Sequence, residues 1–128
     1  MDELVMYRLS SAREKLESAR ILLEAGQFKD SIGRSYYAIF SAVRAVIAKD
    51  NVDFSKHSGV IAYFQKEYIK TGRIEVKYSK YLQTAFQIRN NCDYDDFFIV
   101  SQTDATEQFQ HASEMIAMIE NFLKVHVD

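Results

Sequence analysis

Proline is absent from the 128 residues, and glycine occurs only four times. Both residues are common in the tight turns that join short β-strands, whereas long helices need few of either. The composition therefore argues against an all-β domain and favours a small number of long helices. At this length we expect one domain, residues 1–128, that buries a sizeable core without disulfides or a structural metal.

Cysteine occurs once, at Cys92, so an internal disulfide is excluded and no Cys/His cluster of the zinc-binding type is present. No apolar run approaches the roughly 18 residues that a membrane-spanning helix needs. The segment Met1–Leu4 lacks the basic and then apolar pattern of a signal peptide. We therefore expect a cytoplasmic protein with no membrane segment, no metal and no cofactor.

Apolar residues recur at helical spacing through most of the chain and predict five helices. The short links between them favour an all-α fold, an antiparallel bundle of four to five helices. The periodicity assigns no structure to the apolar segment 97–100. The predicted helices run from about Asp2 to Ala25, from Lys29 to Lys49, from a cap at Ser55 to near Gly72, from about Val76 into residues 89–96, and from Ser101 or Thr103 through Leu123.

Charge is distributed unevenly along the sequence. Residues 51–90 contain seven Lys/Arg and three Asp/Glu, a net of +4, whereas residues 91–128 contain one Lys and eight acids, a net of −7. One interpretation is an anion-binding zone beside a solvated acidic helix. The other is that the two regions neutralise each other across the fold.

Arg89 is the most unusual position in the pattern. Tyr78, Leu82 and Ala85 follow the spacing of one buried helix face, and Arg89 continues it. An unpaired buried guanidinium would cost several kcal/mol. Its partner can be a carboxylate, a second subunit or a phosphate, and Asp93 is correctly spaced for an ion pair within the helix.

Other candidates lie on the second and third helices. Arg34 and Tyr37 share a helix face, so they either rim the same polar pocket as Arg89 or belong to a packed core. Lys56 and His57 stand at a predicted helix N-terminus, which favours anions, although solvent-exposed capping is the simpler interpretation.

The remaining candidates are less favoured: a metal site at Asp93, Asp95 and Asp96, a nucleophile at Cys92, and the histidines His111 and His126.

Three segments, in this order, give the sequence a familiar form: SYYAIFSAVRA at residues 35–45, SKHSGV at 55–60 and RNNCDYD at 89–95. The sequence resembles the HEPN (higher eukaryotes and prokaryotes nucleotide-binding) domains over roughly residues 5–125, especially the small stand-alone prokaryotic branch. The resemblance implies a helical homodimer whose polar motifs face each other across a cleft that binds RNA or nucleotide. It also implies a small nucleotidyltransferase as partner, often in a toxin–antitoxin system.

The catalytic members of that family cleave RNA without a metal, using an arginine, a polar residue and, after a short spacer, a histidine. By resemblance, Arg89 and Asn90 match the first two and Tyr94 stands at the histidine position. A tyrosine with a pKa of about 10 is a poor base at neutral pH, so the sequence leaves open whether the chain is an enzyme. His57 can substitute only if the fold brings it close to Arg89.

The candidates divide into two groups, and one alternative function stays open. A non-catalytic, dimeric interaction module would need Arg89 only as a structural residue. The catalytic candidates are Arg89, Tyr94 and His57, and the candidates for binding nucleotide or RNA are Arg89, Asn90, Arg34, Tyr37 and Lys56.

Overall fold

A computed structural model describes the backbone of residues 2–127 and the side chains of residues 2–124, so the side chain of His126 lies outside the described residues. Residues 2–127 contain five α-helices and no β-strand, which confirms the all-α prediction. A π-helical turn, Gln65–Ile69, follows the third helix directly. The helices are α1 (Glu3–Glu24), α2 (Phe28–Lys49), α3 (His57–Phe64), α4 (Val76–Tyr94) and α5 (Gln102–Val127).

Helix α2 is the centre of the fold and contacts each of the other four helices. Two hydrogen bonds fix its orientation against α1. The hydroxyl of Ser31, early in α2, donates to the carbonyl of Ala19, late in α1, over 2.8 Å. At the other end, Arg8 of α1 donates to the carbonyl of Arg44 over 3.0 Å. The two helices are therefore antiparallel.

Most helix ends follow the sequence signals. The carboxylate of Asp2 accepts the amide of Leu4 over 2.7 Å and caps α1, and Gly26 ends the turn after α1 with a φ of 78°. Ser101 caps α5, because its hydroxyl accepts the amide of Asp104 while the Asp104 carboxylate accepts the amide of Ser101.

The predicted cap at Ser55 is wrong. Helix α3 begins at His57, after an extended Lys56 whose carbonyl accepts the first helical amides, those of Gly59 and Val60. A Cβ atom at Gly59 would lie 2.9 Å from the Cβ of Phe54. The glycine thus lets Phe54 of the linker pack directly on the first turn of α3, and this contact fixes the position of Lys56 and His57.

The π-helical turn has a clear side-chain partner. Tyr63 of α3 and Tyr68 of the π-helical turn are five residues apart, the span of a π-helical hydrogen bond, and both hydroxyls donate to Oδ2 of Asp50. Asp50 immediately follows α2, so this contact ties the end of the central helix to the segment after α3.

The link between α4 and α5 contains exposed apolar side chains. Residues 97–100 are neither helical nor extended in a strand, and Phe97 and Ile99 are 92% and 87% exposed. Within the described part of the chain, every helix is too short or too polar to cross a bilayer.

Candidate functional site

Arg89 reaches from the end of α4 to the tyrosines of α2. Its side chain is 16% exposed, in line with its place after the buried Leu82 and Ala85. Nη2 donates to the hydroxyl of Tyr37 over 2.8 Å, and Nη1 donates to Oδ1 of Asn90 over 3.2 Å. The guanidinium carbon also lies 5.5 Å and 5.2 Å from the ring centres of Tyr36 and Tyr37, within cation–π range.

The ion pair expected within α4 is present. Nε of Arg89 lies 3.0 Å from Oδ2 of Asp93, although its direction is too oblique for a hydrogen bond. The Asp93 side chain is 46% exposed, so water screens this pair. Arg89 therefore has a partial counter-charge on its solvent side and tyrosine rings on its inner side.

His57, the first residue of α3, packs against the same tyrosines. Its Nδ1 and the hydroxyl of Tyr36 share a hydrogen bond of 2.9 Å, and its ring stacks on Phe40 with centres 4.0 Å apart. The imidazole centre lies 5.9 Å from the ring centres of both Tyr36 and Tyr37. We call Tyr36, Tyr37, His57 and Arg89 the tyrosine cluster.

Burial and nearby cations set the protonation states of the cluster. Burial lowers the pKa of His57 below its ordinary 6.5, and the positive charges of Arg89 and Arg44 lower it further. Burial raises the pKa of Tyr36 to about 12. At neutral pH the imidazole is therefore neutral and the Tyr36 hydroxyl keeps its proton. If Nδ1–H of His57 donates to Tyr36, Nε2 is left as a proton acceptor.

Two open clefts meet at the tyrosine cluster. The Arg89 cleft, of about 540 Å³, is lined by Arg89, Asp93, Tyr37, Arg34, Lys29 and Asp30, among others. The Arg44 cleft, of about 410 Å³, is lined by Arg44, Arg8, Lys15, Tyr37 and His57, among others. Tyr37 belongs to both, so the cluster forms the ridge between two surfaces rich in cationic side chains.

The structure brings most of the sequence-predicted residues together, but not all of them. Asn90 contacts Arg89 directly, and Arg34 is an exposed residue at the rim of the Arg89 cleft. Lys56 is exposed and lines a separate depression beside His57 and Arg44. Tyr94, at the end of α4, is 79% exposed and makes no hydrogen bond to the cluster within the described residues.

The geometry gives no support to a metal site at Asp93, Asp95 and Asp96 or to a nucleophile at Cys92. In the part of the chain that the structure describes, no group of three His, Cys, Asp or Glu side chains is placed to hold a metal ion. Burial raises the pKa of the Cys92 thiol, which lowers its thiolate fraction at neutral pH.

Sequence reasoning missed Arg8 and Arg44. Arg8 is 8% exposed and continues the buried row of Val5, Ala12 and Leu16 on α1. An arginine that continues an apolar stripe is the same signal that singled out Arg89, so it could have been found. Nη2 of Arg8 bonds to Oδ2 of Asp53 over 3.0 Å, and Arg44 reaches the same carboxylate. No spacing pattern in the sequence predicts that Asp53 pairs with both arginines.

Comparison with known proteins gives consistent matches. The family model for the HEPN domain matches residues 5–122. A protein of Thermotoga maritima, named only as a UPF0332 protein, is 29% identical over 123 residues, which cover 96% of this chain and 93% of that protein. Two proteins of Methanocaldococcus jannaschii carry the names "Putative toxin MJ0605" and "Putative toxin MJ0142". The first is 33% identical over 72% of this chain and 69% of its own length. The second is 30% identical over 76% and 66%.

Proposed function

The chain belongs to the HEPN domain family, and we propose that it binds single-stranded RNA with a phosphate held at Arg89. In this proposal it is the toxin-like component of a two-protein system, it acts as a homodimer, and its partner is a small nucleotidyltransferase. The names of the two M. jannaschii relatives support the toxin-like role.

One observation carries the proposal: Arg89 and His57 contact the same two tyrosine rings, although they come from different helices. Arginine presents five N–H groups in a planar fork that matches the oxygens of a phosphate. Tyr37 and Asn90 each occupy one N–H of a terminal nitrogen. Within the described residues, one further N–H on each terminal nitrogen remains for a phosphate, and the neutral imidazole of His57 packs against the same two tyrosine rings.

This pairing suits ribonuclease chemistry. Nε2 of His57 takes the proton of a ribose 2′-hydroxyl, and the 2′-oxygen attacks the adjacent phosphorus. The bond from phosphorus to the 5′-oxygen breaks, and that oxygen takes a proton from water. The products are a 2′,3′-cyclic phosphate and a free 5′-hydroxyl. Arg89 stabilises the charge that develops on the phosphate oxygens, and the exposed ring of Tyr94 is available to stack on a base.

A second candidate function has an observation of its own. The carboxylate of Asp93 partly balances the charge of Arg89, and the hydroxyl of Tyr37 holds its guanidinium in place. These contacts are also what a purely structural arginine needs. In that case the protein is a non-catalytic dimeric interaction module, and Arg89 maintains the surface on which the second subunit packs.

Arg89→Ala separates the two candidates. We expect the variant to lose about tenfold or more in affinity for a labelled ten-nucleotide RNA, measured by fluorescence anisotropy, because it loses charge-assisted hydrogen bonds to phosphate. The matched control is Arg20→Ala, because Arg20 is likewise paired with a carboxylate four residues away, Glu24, but lies on the exposed face of α1. Circular dichroism checks that both variants remain helical.

Unchanged RNA affinity in Arg89→Ala would contradict the RNA-binding proposal. A shift from dimer to monomer in sedimentation, with unchanged RNA affinity, would instead identify Arg89 as part of the subunit interface. Arg89→Lys separates the contribution of charge from that of geometry, since lysine keeps the positive charge but lacks the planar fork of N–H groups.

A further inference from the structure

The Arg44 cleft has the charge and the shape of a second anion site. Three cationic side chains line it: Arg8, Lys15 and Arg44. No acidic side chain lines it in the described part of the chain. The half-buried Lys15 donates to the hydroxyl of Ser11 over 2.6 Å, and the described residues offer its ammonium no carboxylate within ion-pair distance. Its charge is therefore available to the cleft.

One carboxylate holds both arginines in place. The carboxylate of Asp53 lies 3.0 Å from Arg8 and 3.2 Å from Arg44, so one negative charge anchors two guanidinium groups and leaves a net positive charge. Asp53 itself does not line the cleft. Nε of Arg44 is buried and has no hydrogen-bond partner among the described residues. Because these guanidinium groups are already held in place, their side chains lose little conformational entropy when a ligand binds.

The cleft also continues from the tyrosine cluster. Tyr37 and His57 both line it, and Tyr37 lines the Arg89 cleft as well. Tyr37 therefore joins the two clefts, and His57 lies on the Arg44 side of that junction. At the rim of the Arg44 cleft Tyr7 is 72% exposed, which is the kind of aromatic surface on which an unpaired base stacks.

We infer that the Arg44 cleft is a second phosphate subsite for the same RNA strand, with Lys15 and Arg44 as its charged contacts and Tyr7 as a stacking surface. This inference rests on the proposed RNA-binding function and adds the path that the RNA strand takes over the surface. The strand crosses the ridge of the tyrosine cluster from one cleft to the other.

Lys15→Gln tests the subsite, because it removes one half-buried charge and leaves the ion pairs of Arg8 and Arg44 intact. Two probes are compared: a dinucleoside monophosphate, which fills only the Arg89 site, and a ten-nucleotide single-stranded RNA. At 0.1 M salt we expect about a fivefold loss of affinity for the long RNA, and a decrease of about 0.7 in the slope of log affinity against log salt concentration. Affinity for the short probe should not change.

Lys80→Gln is the matched control. Lys80 is an exposed lysine on α4 that lines neither cleft, so this variant removes the same charge elsewhere. An equal loss in Lys15→Gln and Lys80→Gln would overturn the subsite, because it would reflect net charge alone. An equal loss for the short and long probes would overturn it too.

The failure of this inference can be told apart from failure of the proposed function. If Arg89→Ala weakens binding of the long RNA and Lys15→Gln does not, only the subsite is overturned. If Arg89→Ala has no effect, the proposed function fails and this inference fails with it. If Lys15→Gln changes the sedimentation coefficient and leaves RNA affinity unchanged, the cleft is covered by a second copy of the chain, and the subsite is overturned.

Discussion

Two histidines of this bundle pack against tyrosine rings, but their charged neighbours differ. His57 stacks on Phe40 and bonds to Tyr36, with Arg89 and Arg44 as its charged neighbours. His111 of α5 stacks on Tyr81 of α4 with ring centres 3.9 Å apart, and Tyr81 donates to the carboxylate of Glu114 over 2.7 Å.

The difference shows that a histidine–tyrosine contact alone does not make an anion site. Glu114 is paired with Lys77 over 2.8 Å, and the hydrogen bonds from Lys77 and then Tyr81 lower the pKa of its carboxyl, so it stays charged. Near His111 a phosphate would meet a carboxylate whose charge Lys77 already balances, whereas near His57 it would meet the guanidinium groups of Arg89 and Arg44.

The two histidine sites also bear on the uneven distribution of charge along the sequence. Lys77 lies in the basic middle of the chain and Glu114 in its acidic end, so their ion pair is a case of the mutual neutralisation that the sequence allowed. Around the Arg44 cleft, Asp53 only partly neutralises Arg8 and Arg44. These cations lie in residues 1–50, outside the basic middle of the chain, so the anion-binding interpretation of residues 51–90 stays a prediction.

Substituting the two histidines in parallel is expected to give the largest contrast. His57→Ala should lower the rate of single-stranded RNA cleavage by about a hundredfold or more, because it removes the proposed general base. His111→Ala should leave the rate within about twofold of the unmodified protein. The measurement is the release of a 2′,3′-cyclic phosphate end from a labelled RNA.

Two outcomes would break this contrast. Equal loss of activity in both variants, with unfolding visible by circular dichroism, would show that both histidines are packing residues. RNA binding without cleavage in the unmodified protein would restrict the tyrosine cluster to a binding role.

The pH dependence of cleavage gives a smaller but more specific effect. A general base must be neutral, so the rate should rise with pH, and the midpoint of the rise should lie below the ordinary pKa of 6.5, because burial, Arg89 and Arg44 all lower the pKa of His57. Arg44→Gln removes one of these cations. The acid limb of log kcat/KM should then move to higher pH, as measured between pH 5 and 8.

His111→Ala is the control for this profile and should reproduce that of the unmodified protein. If the midpoint in Arg44→Gln does not move, or moves to lower pH, the group that titrates is not His57.

The fold was predictable from the sequence because helical periodicity is local. The spacing of Tyr78, Leu82, Ala85 and Arg89 predicted both the buried face of α4 and the anomaly at its end, and the structure has both. The contacts that build the site are not local. Arg89 bonds to a tyrosine 52 positions away, and His57 to one 21 positions away. Such pairs depend on how α2, α3 and α4 pack, and no spacing rule encodes that packing.

Local signals also failed where tertiary packing prevailed. Ser55 has the right chemistry for a helix cap, but the cap is Lys56, one residue later, and the helix begins at His57 with Phe54 packed on Gly59. In the same way, the family resemblance assigns the proton-transfer position to Tyr94, whereas the fold places His57 and Arg89 against the same tyrosine rings and leaves Tyr94 at the surface. The roles of these two residues stay predictions that substitution can decide.

Tyr94→Phe should have the smallest effect. The variant keeps the aromatic ring and removes only the hydroxyl, which is exposed and has no hydrogen-bond partner within the described residues. We expect RNA cleavage and RNA affinity to stay within about twofold of the unmodified protein, since an exposed group outside the cluster contributes little. A loss as large as that in His57→Ala would instead place proton transfer at the end of α4. His57 would then be a packing residue, and its contrast with His111 would lose its functional meaning.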